Sequence, residues 1–161
     1  MSILPITFKG EAVLHQPTTP VDLKELPKLQ PVINSMIETM HKRNGIGIAA
    51  NQVGQSMSIA IINHEAWGGT EDVAIINPSL NEAKKTKWFE EGCLSVPGIF
   101  GWVQRAERVR VKAYDRHGKK LDIKAKGLLA HVLQHEVDHL KGIVFVDKAE
   151  RLQSTTTEYA I

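Results

Sequence analysis

Hydrophobic residues recur at two different spacings along the chain, and the helical spacing of three to four residues occurs twice. The first helical segment covers residues 27–41 and is followed by Asn44-Gly45, a pair that commonly ends a helix. The second covers residues 127–141 and is followed by Gly142. The apolar positions that carry the two patterns are Ile33, Met36, Ile37 and Met40, then Leu128, Leu129, Val132, Leu133, Val137 and Leu140. Two amphipathic helices are therefore predicted.

Short apolar runs and strict alternation of apolar and polar residues predict strands between the two helices. Residues 58–62 and 73–76 are apolar runs of the length that buried strands have. Residues 109–114 alternate, as do residues 120–124, and the turn sequence at 115–118 joins these two segments into a hairpin.

The order of these elements predicts an α+β fold. One N-terminal helix, several strands and then one helix favour antiparallel β-sheets around the second helix. Residues 64–71, which include Gly68-Gly69, are expected to form a loop. The polar residues 149–161 are expected to form a short tail without regular structure. A length of 161 residues fits a single domain.

Composition and charge narrow the classes of protein. The net charge of +2 argues against a nucleic-acid-binding surface, and the densest basic cluster, Lys84, Lys85 and Lys87, is interpreted as a solvated face. Cys93 is the only cysteine, so no internal disulfide can form, which is consistent with a reducing cytosol. The N-terminus has no secretory pattern and the apolar runs are too short to span a bilayer. A cytoplasmic location without membrane contact is expected.

The strongest chemical signal is the sequence His135-Glu136-Val137-Asp138-His139 on the second predicted helix. Histidines four residues apart share one helical face, so both imidazoles can reach one ion. Glu136 between them can then act as a general base. The surrounding apolar residues indicate that the helix is buried, and burying two histidines and a carboxylate is costly unless something satisfies them. A metal site is therefore predicted.

Catalytic metal sites of this type usually have three protein ligands and one open position. A metzincin histidine is excluded because Phe145 stands at its position. His131 lies one turn before His135, but three histidines spread over eight residues of a straight helix span about 12 Å of rise, too far to converge. A carboxylate from the tail is a weaker alternative, at Asp147, Glu150 or Glu158. Cys93 is the remaining candidate, since a thiolate, two imidazoles and water form a sensible tetrahedral set.

Three segments resemble the signature motifs of peptide deformylases. Residues 45–52 read GIGIAANQ and resemble the family's G-x-G-x-A-A-x-Q, and residues 91–95 read EGCLS, as in the family. Residues 134–140 read QHEVDHL, which is similar to Q-H-E-x-D-H-L. Their order and spacing agree with the family as well. The resemblance covers roughly residues 1–148, which it identifies as one catalytic domain.

The resemblance implies a metal-dependent hydrolase that removes the formyl group from the N-terminal formyl-methionine of newly made polypeptides and releases formate. It places one divalent ion on Cys93, His135 and His139 and lets metal-bound water attack the formyl carbon. Glu136 then acts as general base and afterwards as general acid. Fe²⁺ is the ion expected in the cell, with Zn²⁺, Ni²⁺ and Co²⁺ as alternatives, because two nitrogens and one sulfur also suit zinc.

The resemblance also assigns roles around the metal. The side-chain amide of Gln52 and the backbone N–H of Leu94 are implied to stabilise the oxyanion that develops during the reaction. From the residues alone, Gln52 has an equal alternative role as a cap of the preceding segment. Ile46 and Gly47 are implied to line the peptide cleft through their backbone, as an added strand would require. Glu91 and Arg105 are expected to form a buried structural ion pair.

The substrate pocket is the least determined part of the site. Leu128, His131 and Val132 lie one and two turns ahead of His135 and are candidates to line the pocket for the methionine side chain, with plain packing as an equal alternative. The stretch 98–102 departs from many bacterial members, and Phe100 stands near the place of an arginine that helps to hold the peptide. The implied partners are nascent formyl-Met polypeptides and, transiently, the ribosome.

Two rival functions share this ligand set. One is a metal amidase or peptidase that acts on a different acyl group. The other is a non-catalytic metal-binding relative, against which the presence of Glu136 and Gln52 speaks, since a pure binding site needs neither residue.

Overall fold

The computed structural model describes residues 2–154 and residue 161, and its helices confirm both helical segments. α1 spans Leu26–Lys42, α2 spans His64–Trp67 and α3 spans Gly127–Leu140. Pro27 lies in the first turn of α1, where its missing N–H has no intrahelical partner to lose. Every residue from Ala130 to Leu140 is buried, so α3 runs through the interior of the protein.

The described strands form one antiparallel sheet, which confirms the α+β prediction. The strands are β1 Gly47–Ala49, β2 Ile59–Ile62, β3 Val73–Cys93, β4 Val96–Tyr114, β5 Lys120–Lys126 and β6 Glu150–Ser154. Their order in the sheet is β1-β2-β3-β4-β5, and β6 pairs with β4. α3 contacts all of the first five strands, so the sheet wraps around the helix that carries the two motif histidines.

The hairpin of β3 and β4 is much longer than the sequence predicts. Residues 81–88 are exposed and polar on both faces apart from Ala83 and Trp88, so no period of two marks them as a strand. Their extended form comes from pairing with β4, which carries buried residues along its length, among them Val103, Arg105, Val109 and Val111. The hairpin closes over the two residues 94 and 95, because Cys93 pairs directly with Val96.

Two smaller expectations need correction. The predicted loop at 64–71 begins with the short helix α2, which Asn63 caps by accepting a hydrogen bond from the N–H of Glu65. The predicted irregular tail contains β6, whose residues are all exposed and are ordered by the pairing with β4 rather than by burial. Residues 155–160 lie outside the described part of the chain, and the candidate carboxylate Glu158 lies among them.

The buried apolar residues form three clusters around the sheet and the helices. One cluster joins α3 to the sheet through residues such as Ile75, Val111 and Leu133, and a second packs α1 against β1 and β2 through Ile33, Met36 and Ile48. A third surrounds Cys93 with side chains that include Leu14 and Phe145. Among the helices of residues 2–154, none is both long and apolar enough to cross a membrane.

Candidate metal centre

Residues from three separate elements meet at the middle of α3. α3 supplies His135, Glu136 and His139, the end of β3 supplies Cys93, and the 3-10 helix Ala50–Val53 after β1 supplies Gln52. All five side chains are buried. The structure therefore brings the predicted ligands and the predicted base to one place, although His135 follows Cys93 by 42 positions along the chain.

The three candidate ligands have the spacing that one ion requires. Nε2 of His139 lies 3.3 Å from Sγ of Cys93 and 3.1 Å from Nε2 of His135. The ligand atoms of all three residues lie within 4.8 Å of one another. Bond lengths of about 2.0–2.3 Å around a tetrahedral ion put neighbouring ligand atoms about 3.3–3.6 Å apart. The geometry and the donor set of this group therefore fit a divalent metal ion.

The protonation of the ligands agrees with that role. Burial, with His135 as neighbour, lowers the pKa of His139 well below its usual value, so this ring is neutral and can ligate. Burial raises the pKa of the Cys93 thiol to about 12. The free thiol therefore carries its proton at neutral pH, and an ion that binds there must displace that proton.

Glu91 fixes the orientation of two histidines, His131 and His135, by hydrogen bonding to both. Its carboxylate lies 2.7 Å from Nδ1 of His135 and 2.8 Å from Nε2 of His131. Although burial opposes its ionisation, hydrogen bonds from Arg105 and both histidines hold the pKa of Glu91 far below its usual range. A carboxylate only accepts, so Nδ1 of His135 carries the hydrogen and Nε2 presents its lone pair to the ligand group.

Arg105 neutralises this buried carboxylate and ties it to α3. Its Nε and Nη2 donate to Glu91 at 2.7 and 2.9 Å, and its Nη1 donates to Asp138. The expected ion pair is thus part of a larger network, in which Lys148 also lies 2.9 Å from Asp138. Because each buried charge has a partner, removing one member would leave the others uncompensated.

Glu136 differs from every other charged group of the site. Within the described part of the chain, both of its carboxylate oxygens are buried without a hydrogen-bond partner. Burial, with a further contribution from the charge on Glu91, raises its pKa well above the usual value for a carboxyl group. A buried carboxyl group with no protein partner is costly unless a bound molecule satisfies it. This carboxyl group is therefore available to water or substrate beside the three candidate ligands.

The orientation of Gln52 is set by its own backbone neighbourhood. Its Oε1 accepts from the N–H of Ala49 at 2.9 Å, so its Nε2 faces Cys93 at 3.4 Å and Oγ of Ser95 at 3.2 Å. The Oε1 end of Gln52 therefore caps the segment, and its Nε2 end faces the centre, where the oxyanion role stays a prediction. Leu94 follows Cys93 in the turn of the hairpin and is half-buried.

The edge of the sheet approaches Glu136 very closely at Gly47. A Cβ atom added to Gly47 would lie 2.6 Å from Oε1 of Glu136 and 3.1 Å from its Cγ and Cδ. Only glycine therefore allows the backbone of β1 to pass beside the carboxyl group. Ile46 precedes β1, is half-buried and packs against the cluster that joins α3 to the sheet.

The substitution Gly47→Ala is expected to displace the Glu136 carboxyl group and to lower kcat of the hydrolysis predicted from the sequence by about 100-fold. A misplacement of a catalytic group by about 1 Å can have an effect of this size. Metal content should stay unchanged, because Glu136 is not one of the grouped ligands. Steady-state kinetics together with metal analysis would measure both effects. Gly69→Ala is the matched control, since Gly69 lies exposed in the loop after α2. A Gly47→Ala protein with unchanged kcat would contradict the inference.

The remaining candidate pocket residues differ in their burial and in their contacts. Val132 is fully buried, His131 is bound to Glu91 and stacks near Phe89 with ring centroids 4.5 Å apart, and Leu128 is 46% exposed. Phe100 is buried on β4 opposite Gln153 of β6. His131 is therefore linked through Glu91 to the candidate ligand His135, whereas its contact with a methionine side chain stays a prediction.

Sequence reasoning did not identify Ser95 or Phe89 as parts of the site. The backbone and the hydroxyl group of Ser95 both hydrogen-bond to the Cys93 sulfur, and each lowers the pKa that burial raises. Phe89 lies at the end of the polar stretch of β3, and its ring contacts that of His131 on α3. The position of Ser95, two residues after Cys93, could have indicated its contact with the sulfur, whereas no sequence pattern indicates the position of Phe89.

Comparison with known proteins agrees with this geometry. Residues 3–155 match the sequence profile of the Polypeptide deformylase family. A peptide deformylase of Halothermothrix orenii is 42% identical over 94% of this chain and 97% of its own length. A crystal structure of a peptide deformylase from Legionella pneumophila has a TM-score of 0.85 and 42% identity, covering 92% of this chain and 86% of the other. A Met-Ala-Ser-bound class I type b peptide deformylase from Acinetobacter baumannii has a TM-score of 0.84 and 38% identity, with 91% and 98% covered.

Proposed function

Because this chain belongs to the polypeptide deformylase family, we infer that it is a metal-dependent hydrolase that removes the formyl group from N-terminal formyl-methionine and releases formate. The observation that carries this conclusion is the buried, unpaired carboxyl group of Glu136 beside the grouped ligands Cys93, His135 and His139. A site that only stored a metal would have no need of such a group.

We assign the metal to Cys93, His135 and His139. When bound, a divalent ion at these residues supplies Lewis acidity toward water and toward the formyl oxygen. His135 is held in its ligating tautomer by Glu91, and His139 is kept neutral by burial. Fe²⁺ is the ion proposed for the cell, as in many peptide deformylases, and Zn²⁺, Ni²⁺ and Co²⁺ are alternatives, since two nitrogens and one sulfur also suit zinc.

Glu136 carries the proton through the reaction. Its carboxylate takes the proton of the attacking water as the new C–O bond forms at the formyl carbon. It then gives the proton to the nitrogen as the C–N bond breaks, so the products are formate and a free N-terminal amine. Because Gly47 has no side chain, the backbone of β1 lies beside this carboxyl group without displacing it.

Gln52 and Leu94 are proposed to stabilise the negative charge that develops on the formyl oxygen. The side-chain amide of Gln52 is held by the N–H of Ala49, so its N–H groups face the centre before substrate arrives. Donors that are oriented in advance need no reorganisation in the transition state. The backbone N–H of Leu94 is the second donor, since Leu94 follows the ligand Cys93 in a tight turn.

The peptide is proposed to bind along β1. Among the described strands β1 pairs only with β2, so no described strand lies on its other side, which begins beside Ile46 and Gly47. An extended peptide can add to the edge of a sheet through its main chain. The Acinetobacter baumannii relative is bound to Met-Ala-Ser, a peptide of the kind that this reaction would produce.

The methionine side chain is proposed to lie against Leu128, His131 and Val132. Leu128 and Val132 offer apolar surface, and the polar edge of His131 is already bound to Glu91, so the remaining face of its ring can contact a thioether. Phe100 is proposed to replace the arginine contact of other members with an apolar one. Its place on β4 is fixed from the side by β6.

The domain bounds, the cellular location and the partners are proposed from the family rather than from the geometry of the site. We propose a catalytic domain of residues 1–148 with β6 docked on it from the segment 149–161. The family acts on formylated nascent polypeptides, and we propose that the enzyme works in the cytoplasm in transient contact with the ribosome.

Formate release from formyl-Met-Ala-Ser tests the proposed function. Protein purified without oxygen would be loaded separately with Fe²⁺, Ni²⁺, Co²⁺ and Zn²⁺, with acetyl-Met-Ala-Ser as the competing substrate. We expect rapid formate release and a clear preference for formyl over acetyl. A preference for acetyl would identify another metal amidase, and no turnover of either peptide by fully loaded protein would favour a non-catalytic relative.

A further inference from the structure

A second group of potential metal ligands lies outside the centre described above and shares no residue with it. It consists of His41 in the last turn of α1, His64 at the start of α2 and Asp72 just before β3. The three residues offer ligand atoms that all lie within 4.8 Å of one another. They come from three separate segments of the chain, so the fold rather than a local motif brings them together.

The carboxylate of Asp72 is the centre of this group. Its Oδ2 lies 2.6 Å from Nε2 of His41, and its Oδ1 lies 3.0 Å from Nδ1 of His64. The backbone N–H of His64 also donates to Oδ1 at 2.8 Å. Although burial opposes ionisation, hydrogen bonds from the two histidines hold the pKa of Asp72 below its usual value. The group therefore presents an anionic oxygen ligand between two imidazoles.

The group is also accessible, unlike the buried centre on α3. The His41 and His64 side chains are 42% and 38% exposed, whereas Asp72 is 11% exposed. The carboxylate is thus fixed by the fold while both rings face solvent on one side. An ion can reach the group without any opening of the structure, and water can complete its coordination.

We propose that His41, His64 and Asp72 form a second divalent-metal site whose preferred ion is zinc. Two imidazoles, one carboxylate and water are a ligand set that zinc takes in a tetrahedral arrangement. In the neutral rings the hydrogen can move to Nδ1 of His41 and Nε2 of His64, which exposes the lone pairs that face Asp72. In each ring one N–H bond breaks and another forms at the other nitrogen, and the ion takes the place that the hydrogen leaves beside the carboxylate.

An ion bound to His41 and His64 would link two stretches of chain that hydrogen-bond to residues 45 and 46, at the start of the proposed peptide cleft. Asn63, next to His64, donates from its N–H to the carbonyl of Ile46 at 2.8 Å and from its side chain to the carbonyl of Gly45 at 3.2 Å. Gly45 in turn donates to the carbonyl of Met40, next to His41. Cross-linking His41 to His64 would therefore brace residues 45–46 from both sides.

Zinc stoichiometry tests the site independently of catalysis. Protein whose catalytic centre is loaded with nickel and freed of excess metal would be dialysed against micromolar zinc, and both metals would be counted per chain. We expect one nickel and one zinc in the wild type. His41→Ala and His64→Ala should each retain the nickel and lose most of the zinc. The control is His117→Ala, because His117 is an exposed histidine in the turn between β4 and β5.

A thermal melt supplies the second readout. Saturating zinc should raise the Tm of the nickel-loaded wild type and of His117→Ala, but not of His41→Ala or His64→Ala. The proposal is overturned if the wild type binds no zinc, if zinc is gained only as nickel is lost, or if both histidine variants bind zinc as well as the wild type does. None of these outcomes depends on whether the protein deformylates peptides.

Discussion

Replacing Glu136 by Gln should abolish most turnover while leaving the metal in place. General acid–base catalysis by a positioned side chain contributes about 10²- to 10⁴-fold, and an amide cannot accept the proton of the attacking water. Gln has nearly the same size, so it fits beside Gly47 without the clash that a larger group would cause. Formate release should therefore fall by about 10²- to 10⁴-fold with metal content unchanged.

The structure explains why activity should be lost without loss of the metal. Glu136 is next to His135 in sequence, yet it is not a member of the ligand group Cys93, His135 and His139. Glu90→Gln is the matched control, because Glu90 is exposed on β3 and close in sequence to the site. If the Glu136→Gln protein loses its metal, the carboxyl group has a structural role at the centre. If it keeps both metal and full activity, the proton is carried by another group.

The sequence was sufficient to predict the parts of the fold that have a regular period. Both long helices and the strands β2 and β5 were found within one or two residues of their observed ends. β6 and the middle of β3 were not found, because their residues are exposed on both faces and are ordered by pairing with β4. Such pairing depends on a distant partner and leaves no periodic pattern in the strand itself.

The candidate site likewise contains residues that a local spacing predicts and residues that only the fold brings together. His135 and His139 lie one turn apart on α3, so the spacing of these two histidines alone indicates a shared ion. The network around Glu91 could be foreseen only in part, since Glu91 reaches His131 and His135 across 40 and 44 positions of the chain. The group at His41, His64 and Asp72 has no motif at all, and it becomes visible only when α1, α2 and the start of β3 are placed together.

Replacing Cys93 by Ser is expected to weaken metal binding by more than about 100-fold, and activity should fall with it. Even the loss of a residue that only orients a ligand costs about 10- to 100-fold in metal affinity, so the loss of a ligand should cost more. A serine hydroxyl is a far poorer ligand than a thiolate. The matched control is Ser95→Ala, which removes a hydrogen bond to the same sulfur but no ligand, and it should retain the metal.

Proton release during metal binding connects this prediction to the environment of the thiol. Burial raises the pKa of Cys93 to about 12, so at pH 7 the metal-free thiol holds its proton, and binding of the ion must release it. Calorimetric titration in buffers of different ionisation enthalpy should therefore show about one proton released per ion from Cys93 in the wild type. Residual binding by Cys93→Ser should lack this proton. Tight binding with unchanged proton release in the Ser variant would mean that the third ligand is not Cys93 and would return the carboxylates of residues 147–158 to consideration.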